Sequence, residues 1–471
     1  MKYCSIALAL FLMINPQGIN AQDRQTLTDH QAMAREMFAD VIAMDTSVVK
    51  RETPRMAKYL MQRFLDAGFD QSHITEVTLE PNLVSLLVRY PGRARNEPGI
   101  GLMAHMDVVP AFAKDWTLDP FTLTEQDGYF IGRGTADNKT GVIGLAATFI
   151  KLKQQGYVPE RDLVLILTAD EETTMNAARH FANELRDTVN IEYAINADAL
   201  SGILAPDGTL LGYYVQGAEK TYQTYHFTVR NPGGHSSAPR DDNAIYQLSE
   251  ALLKIRSFKF PVMLNEISIG MLQAAATTSD PYTKRNIDTL IADPENQEAA
   301  EALSRHPLLS TVIRTTCVAT MLEAGHAENA LPQSASATVN CRIMPSVDPE
   351  EVFETLTRVV DDHEVQITPT GVLGDQAPAS PMRADVVEAI GASLHEYPDA
   401  KLIPFMASYG TDGKEFRAAG IPVYGSSGTF MIPQEAYAHG LNEKIGVSTF
   451  YASLEYWERL MKTLAANPVW P

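Results

Sequence analysis

Three almost unbroken apolar runs constrain this chain more than any other feature: GIGLMA at 99–104, LVLILT at 163–168 and YAI at 193–195. Each has the length of a buried strand. Segments of helical period lie between them, TGVIGLAATFIKLKQQG and MNAARHFANELRD, the first stopped by Gly156. Strands that are apolar on both faces must be covered on both faces. Alternation with helices therefore predicts an α/β domain around a largely parallel or mixed central sheet. A further strand is expected in NLVSLLVRYPG, closed by Pro91 and Gly92.

From about Tyr222 the pattern changes. TYQTYHFTVR alternates like a half-exposed strand, AIYQLSEALLKIRSF has helical period, and RTTCVATML and SATVNCRIM read as neighbouring strands. DPEEVFETLTRVVDDH is a helix with an acidic start, and EVQITPTG a last strand. Strand, helix, two strands, helix, strand is a compact α+β unit. With 471 residues the chain is long enough for two domains. The expected division is a catalytic domain from 22–218 and 376–471, and an inserted domain at 219–375 with a mainly helical insertion near 265–312.

The opening, MKYCSIALALFLMINPQGINAQ, has a short basic start, an apolar run and small polar residues. It is expected to be a signal peptide spanning 1–21, cut after Ala21, which places the mature protein in the periplasm or outside the cell. The apolar run is too short for a membrane span, and no stable membrane insertion is expected. A net charge of −20 argues against nucleic-acid partners. Past the signal, two cysteines remain, Cys317 and Cys341. A cross-strand disulfide and two buried thiols are both open to them.

The chemistry gathers at strand ends. His105 and Asp107 follow the first apolar run, and residues two apart in extended chain point the same way, so Asp107 is expected to orient the His105 ring. Asp137 lies in GRGTADNKTG, Glu171 and Glu172 in LTADEETT, Asp198 in NADA, and His439 in AHGLNEKIG. Ligands of open α/β sheets bind at the carboxyl ends of strands. Two histidines among several carboxylates make a nitrogen and oxygen donor set suited to zinc, with cobalt or manganese as substitutes. The surplus of acids points to two ions sharing a carboxylate. Of two adjacent glutamates, one can ligate while the other serves as general base.

The motifs MAHMDVVP, GRGTADNKTG, LTADEETT, NADA, GGHSSAP, YGTDG and HGLNE stand in this order along the chain. In them the sequence resembles the zinc-dependent aminoacylase and carboxypeptidase family, most of all its carboxypeptidase S-like branch. The resemblance implies a dizinc exopeptidase-like catalytic domain with a central mixed sheet. It also implies an inserted α+β ferredoxin-like lid or dimerisation domain, which allows a homodimer. It implies that His105 and Asp198 hold one Zn2+, Glu172 and His439 the other, and that Asp137 bridges them. Glu171 becomes the general base, Asp107 orients His105, and His235 steadies the tetrahedral oxyanion. Asn329, Arg342 and Gly410 would contact substrate, Arg342 by gripping a carboxylate. After YGTDG the chain carries Lys414, Glu415 and Phe416, where carboxypeptidase S-like relatives typically have an Arg-His pair and an aromatic residue.

Two substrate classes follow from the same site. One is a peptide cut next to a free C-terminal carboxylate, as by a carboxypeptidase or dipeptidase. The other is an N-acyl amino acid. A non-catalytic binding protein on the same fold would have lost a ligand or the base, and every such position is intact.

Overall fold

The computed structural model describes residues 26–94, 96–371 and 376–466. The expected signal peptide lies outside the described residues. Among those described, ten strands form a central mixed sheet. Its order runs Ile74–Glu80, Leu83–Tyr90, Leu163–Thr168, Gly99–His105, Ile191–Asn196, Val423–Gly425, Leu210–Glu219, Gly202–Leu204, Phe430–Met431. Leu402–Ala407 also pairs with Leu210–Glu219. The middle of the sheet is parallel: Gly99–His105 pairs in parallel with both Leu163–Thr168 and Ile191–Asn196, and the latter with Val423–Gly425. Every residue of Gly99–His105 and Leu163–Thr168 is buried, as their unbroken apolar runs require.

Helices cover both faces. Lys139–Gln154, Asp29–Ile42 and Val447–Ala466 pack on one side, with Trp457 and Phe38 fully buried among them. On the other side, Asn176–Ala182 and Gly413–Ala418 enclose a smaller core around Phe181 and Phe416. Helix Lys139–Gln154 lies close to the sheet because Gly141 has no side chain. A Cβ there would stand 2.2 Å from Asn138 Oδ1 and 2.8 Å from the Ala197 Cβ. That contact draws the helix start, and Asp137 just before it, toward Asp198.

The segment Thr221–Pro369 builds a second, four-stranded antiparallel sheet in the order Thr316–Ala324, Ser334–Ile343, Thr221–Arg230, Val365–Pro369. Helices Ala244–Ser257 and Pro349–Val360 cover one face through Leu248, Ile255, Val352 and Leu356. This is the ferredoxin-like βαββαβ arrangement. The insertion folds as four helices, Glu266–Ala276, Pro281–Ala292, Gln297–Ser304 and Pro307–Ile313, each capped at its start by the side chain before it: Asn265, Asp280, Asn296 or His306.

Several elements differ from the sequence reading. MNAARHFANELRD is two short helices, Asn176–Ala182 and Arg186–Val189. Strand Leu402–Ala407 contains Pro404, which reads as a breaker. It is tolerated because this strand pairs on one side, with Leu210–Glu219. Leu210–Glu219 is itself buried along most of its length, yet it carries Gln216 and Glu219, which hid it.

Cys317 and Cys341 stand directly opposite in neighbouring strands and are joined as a disulfide. Closing a loop over a sequence separation of 24 residues is expected to stabilise the fold by about 3 kcal/mol. Denaturant unfolding with and without reductant checks this. An equal midpoint in both conditions would contradict it.

Candidate functional site

His105 ends its strand opposite Thr168, and Met103 stands opposite Asn196. This register aligns three strand ends. The chain beyond them then delivers Glu171, Glu172 and Asp198 to one spot, while Asp137 arrives from the loop before helix Lys139–Gln154. His105 Nε2 lies 2.9 Å from Asp137 Oδ1 and 3.9 Å from Asp198 Oδ2. His439 Nε2 lies 3.1 Å from both Asp137 Oδ2 and Glu172 Oε1. Asp137 therefore offers one oxygen to each histidine. Ligand atoms of His105, Asp137 and Asp198 lie within 4.8 Å of one another, as do those of Asp137, Glu172 and His439. Glu171 joins His105 and Glu172 in a third such group.

The electrostatics ask for cations. Burial, with Asp137 alongside, pushes the Asp198 carboxyl up to about 8. Burial raises Glu171 well above its usual range, reinforced by Asp198, Asp412 and Glu172 and opposed by His105. Hydrogen bonds to Asp137 and Glu172 raise His439 to about 10. Burial also works against the Asp137 charge, but hydrogen bonds from His105 and His439 outweigh it and hold that carboxyl below the usual range. Without metal this cluster holds protons to relieve the repulsion. Two divalent cations would replace them, and imidazole and carboxylate donors are those that zinc accepts.

Supports for the ligands come from residues to which the sequence reading assigned no role. Arg133 and Glu443 form a buried ion pair at 2.6 Å. Glu443 Oε1 accepts from the backbone N–H groups of Ala136 and Asp137 at 2.7 and 2.9 Å, while Arg133 donates to Gly440 O at 3.0 Å. One pair thus ties the Asp137 loop to the His439 loop. The latter is strained: Tyr437, His439 and Asn442 have φ of 53°, 61° and 54°. Each such residue costs on the order of 1 kcal/mol, and the surrounding bonds hold it in place. Glu443 and Arg133 lie inside quoted motifs, but their partnership spans the chain and leaves no local signal.

The geometry adds detail around two acids of the motifs. The His105 ring meets the backbone carbonyl of Asp107 through Nδ1 at 3.0 Å, while the Asp107 carboxylate is 3.6 Å away. That carboxylate accepts instead from the N–H groups of Glu171 and Glu172, at 3.2 and 3.0 Å. Nδ1 of His105 thus faces both the carbonyl and the carboxylate of Asp107, and Asp107 orients the ring chiefly through its backbone oxygen. Asp170, the acid just before Glu171, accepts from Thr174 and from the N–H groups of Asn176 and Ala177. It shapes the turn into the next helix.

A cavity of about 920 Å³ adjoins the cluster, lined by Asp137, Glu171, Glu172, Asp198 and His439, and also by Gly410. Arg342 donates to Ser408 O at 2.8 Å and stacks on Tyr222, which also lines the cavity. His235 and Asn329 are exposed and do not line it. They neighbour each other on a two-stranded ribbon, where Ser236 N–H donates to Asn329 O. Lys414 and Glu415 also stay outside the cavity, and Glu415 pairs with Arg179 at 3.0 Å.

A mixed sheet carrying overlapping imidazole and carboxylate sets at its parallel strand ends is the architecture of a metal-dependent hydrolase. A family model described as Peptidase family M20/M25/M40 matches residues 101–463, and the chain belongs to that family. The human N-fatty-acyl-amino acid synthase/hydrolase PM20D1 is 28% identical over 368 residues, covering 75% of this chain and 72% of the relative. The probable carboxypeptidase S-like 2 of Dictyostelium discoideum is 26% identical over 421 residues, covering 87% and 79%. The crystal structure of the M20 family metallo-carboxypeptidase Sso-CP2 from Sulfolobus solfataricus shares the fold. Its TM-score is 0.69 at 16% identity, over 93% of this chain and 100% of that one.

Two outcomes follow. Asp198 and His439 both hold a proton at pH 7 in the metal-free protein, because their values are raised to about 8 and about 10. Both must lose it to ligate, so zinc binding releases protons and tightens as pH rises through this window. Calorimetry in two buffers of different ionisation enthalpy measures the release, and none at pH 7 would contradict it. Arg133→Met leaves Glu443 buried without its counter-ion, and should cost about 3–5 kcal/mol in denaturant unfolding.

Proposed function

We propose that the protein is an exported dizinc hydrolase that cleaves the amide bond to an amino acid with a free carboxylate, as a carboxypeptidase or dipeptidase does. The observation that carries this reading is Asp137 placed between His105 and His439, with Glu171 in reach of the same cluster and an open cavity beside it. In this reading His105 and Asp198 would hold one ion and Glu172 and His439 the other, with one Asp137 oxygen offered to each side. The ions would supply Lewis acidity to the scissile carbonyl and lower the pKa of water.

The rest falls to the chain. Glu171 is buried against the same cluster and shares a potential ligand group with His105 and Glu172, which puts a carboxylate where general-base work needs one. It accepts the proton of the attacking water and passes it to the departing nitrogen. Asp107 fixes the position of Glu171 by accepting from its backbone N–H. Arg342 and the Gly410 loop receive the substrate carboxylate. His235 and Asn329 would reach the substrate through movement of the four-stranded layer, or from a second copy in a homodimer. There His235 would hold the oxyanion.

Hydrolysis of N-acyl amino acids is the second reading. It is favoured by the human relative, named as an N-fatty-acyl-amino acid synthase/hydrolase, and by apolar residues such as Leu200 and Met431 along the cavity. Export is supported by the signal-like opening of the sequence and by the Cys317–Cys341 disulfide.

Zinc-loaded protein assayed on N-blocked dipeptides, free dipeptides and N-acyl amino acids separates these readings. Turnover of blocked peptides indicates a carboxypeptidase, of free dipeptides only a dipeptidase, and of acyl amino acids only the second reading. Glu171→Gln should cut kcat by about 10²–10⁴-fold while both zinc ions stay bound. A variant that retains full activity would remove Glu171 from its role.

A further inference from the structure

One wall of the cavity has no part in the chemistry above. Met175 lines it and sits immediately before helix Asn176–Ala182. Its φ is 52°, in the left-handed region that glycine and asparagine enter far more readily than methionine. The backbone turn is fixed: Met175 N–H donates to Asp170 O at 2.9 Å, and Met175 O accepts from Arg179 N–H at 3.1 Å. Its side chain makes no capping hydrogen bond, although helix starts favour residues that do. Nothing local therefore favours methionine at this position.

The reason lies in the cavity. The terminal methyl of Met175 is 3.5 Å from where a Cβ on Gly410 would stand. Gly410, Ser408 and Arg342 form the corner read above as the seat of the substrate carboxylate. Leu200 and Met431 line the same cavity. Because Met175 stands against Gly410 and lines the same cavity, an amino acid whose carboxylate reached that loop would bring its own side chain near Met175. Methionine is flexible and polarisable, and adapts to apolar groups of different shape.

We propose that Met175 is a specificity-determining residue that contacts the side chain of the carboxylate-bearing amino acid and selects large apolar side chains over small ones. The inference rests on the hydrolytic reading and deepens it. The strained backbone is retained because the side chain contributes to substrate binding rather than to folding.

The test uses Met175→Gly and Met175→Asn in the zinc-loaded full chain. Both replacements suit the left-handed backbone, so folding is preserved and the melting temperature should stay level or rise. One substrate series holds the acyl group constant and varies the carboxyl-terminal residue through Gly, Ala, Leu and Phe. A second holds Leu constant and varies the acyl group. Both variants should raise KM for the Leu and Phe members about tenfold, while Gly and Ala members and every kcat stay within about twofold. In the second series all members should shift equally. A uniform loss across Gly, Ala, Leu and Phe overturns the proposal, and so does selectivity that changes only with the acyl group. If the wild type turns over no member of either series, the hydrolytic reading fails and the inference with it. Turnover without the expected selectivity rejects the inference alone.

Discussion

Repulsion among buried acids is the constraint on which the rest of this structure depends. Asp137, Glu171, Glu172 and Asp198 converge within a few ångströms at the carboxyl ends of parallel strands. Two imidazoles alone offset them poorly, since Asp198 and Glu171 remain shifted far toward their neutral forms. The arrangement becomes favourable when divalent cations take the place of protons. Features that look excessive in a metal-free protein then have a purpose. The shared position of Asp137, the strained His439 loop and the Arg133–Glu443 pair all hold donors where repulsion would otherwise disperse them.

The supporting layer acts through the backbone. Asp107 holds the N–H groups of Glu171 and Glu172, and Glu443 those of Ala136 and Asp137. Each carboxylate thus fixes a loop whose own acid faces the cluster. Charge-assisted bonds to backbone amides are strong, and they leave the ligand side chains free for metal. Gly141 contributes by its missing Cβ, which lets the helix start approach Ala197. Precision at the cluster therefore comes from close packing and buried hydrogen bonds on both sides of the sheet.

Much of this was legible in the sequence, and the reasons are physical. Fully buried parallel strands must be apolar throughout, so acids directly after them stand out, and each of the five expected metal ligands belongs to the cluster. The ferredoxin-like layer announced itself through alternation in TYQTYHFTVR. Other features had no local signal. The Asp107 carboxylate also holds the N–H groups of Glu171 and Glu172, a contact made far along the chain. Glu443 acts on residues some three hundred positions earlier. Met175 looked like an ordinary helix residue, since its left-handed backbone is imposed by the turn around Asp170. His235 and Asn329 share a ribbon away from the cavity, a placement that depends on how the two sheets are mounted.

The most direct test is anomalous diffraction at the zinc edge from crystals of the zinc-loaded protein. The account predicts two peaks flanking the Asp137 carboxylate, roughly 3.5–4 Å apart. One should be ligated by His105 and Asp198, the other by Glu172 and His439. A single peak at saturating zinc, or two peaks that do not share Asp137, would contradict it.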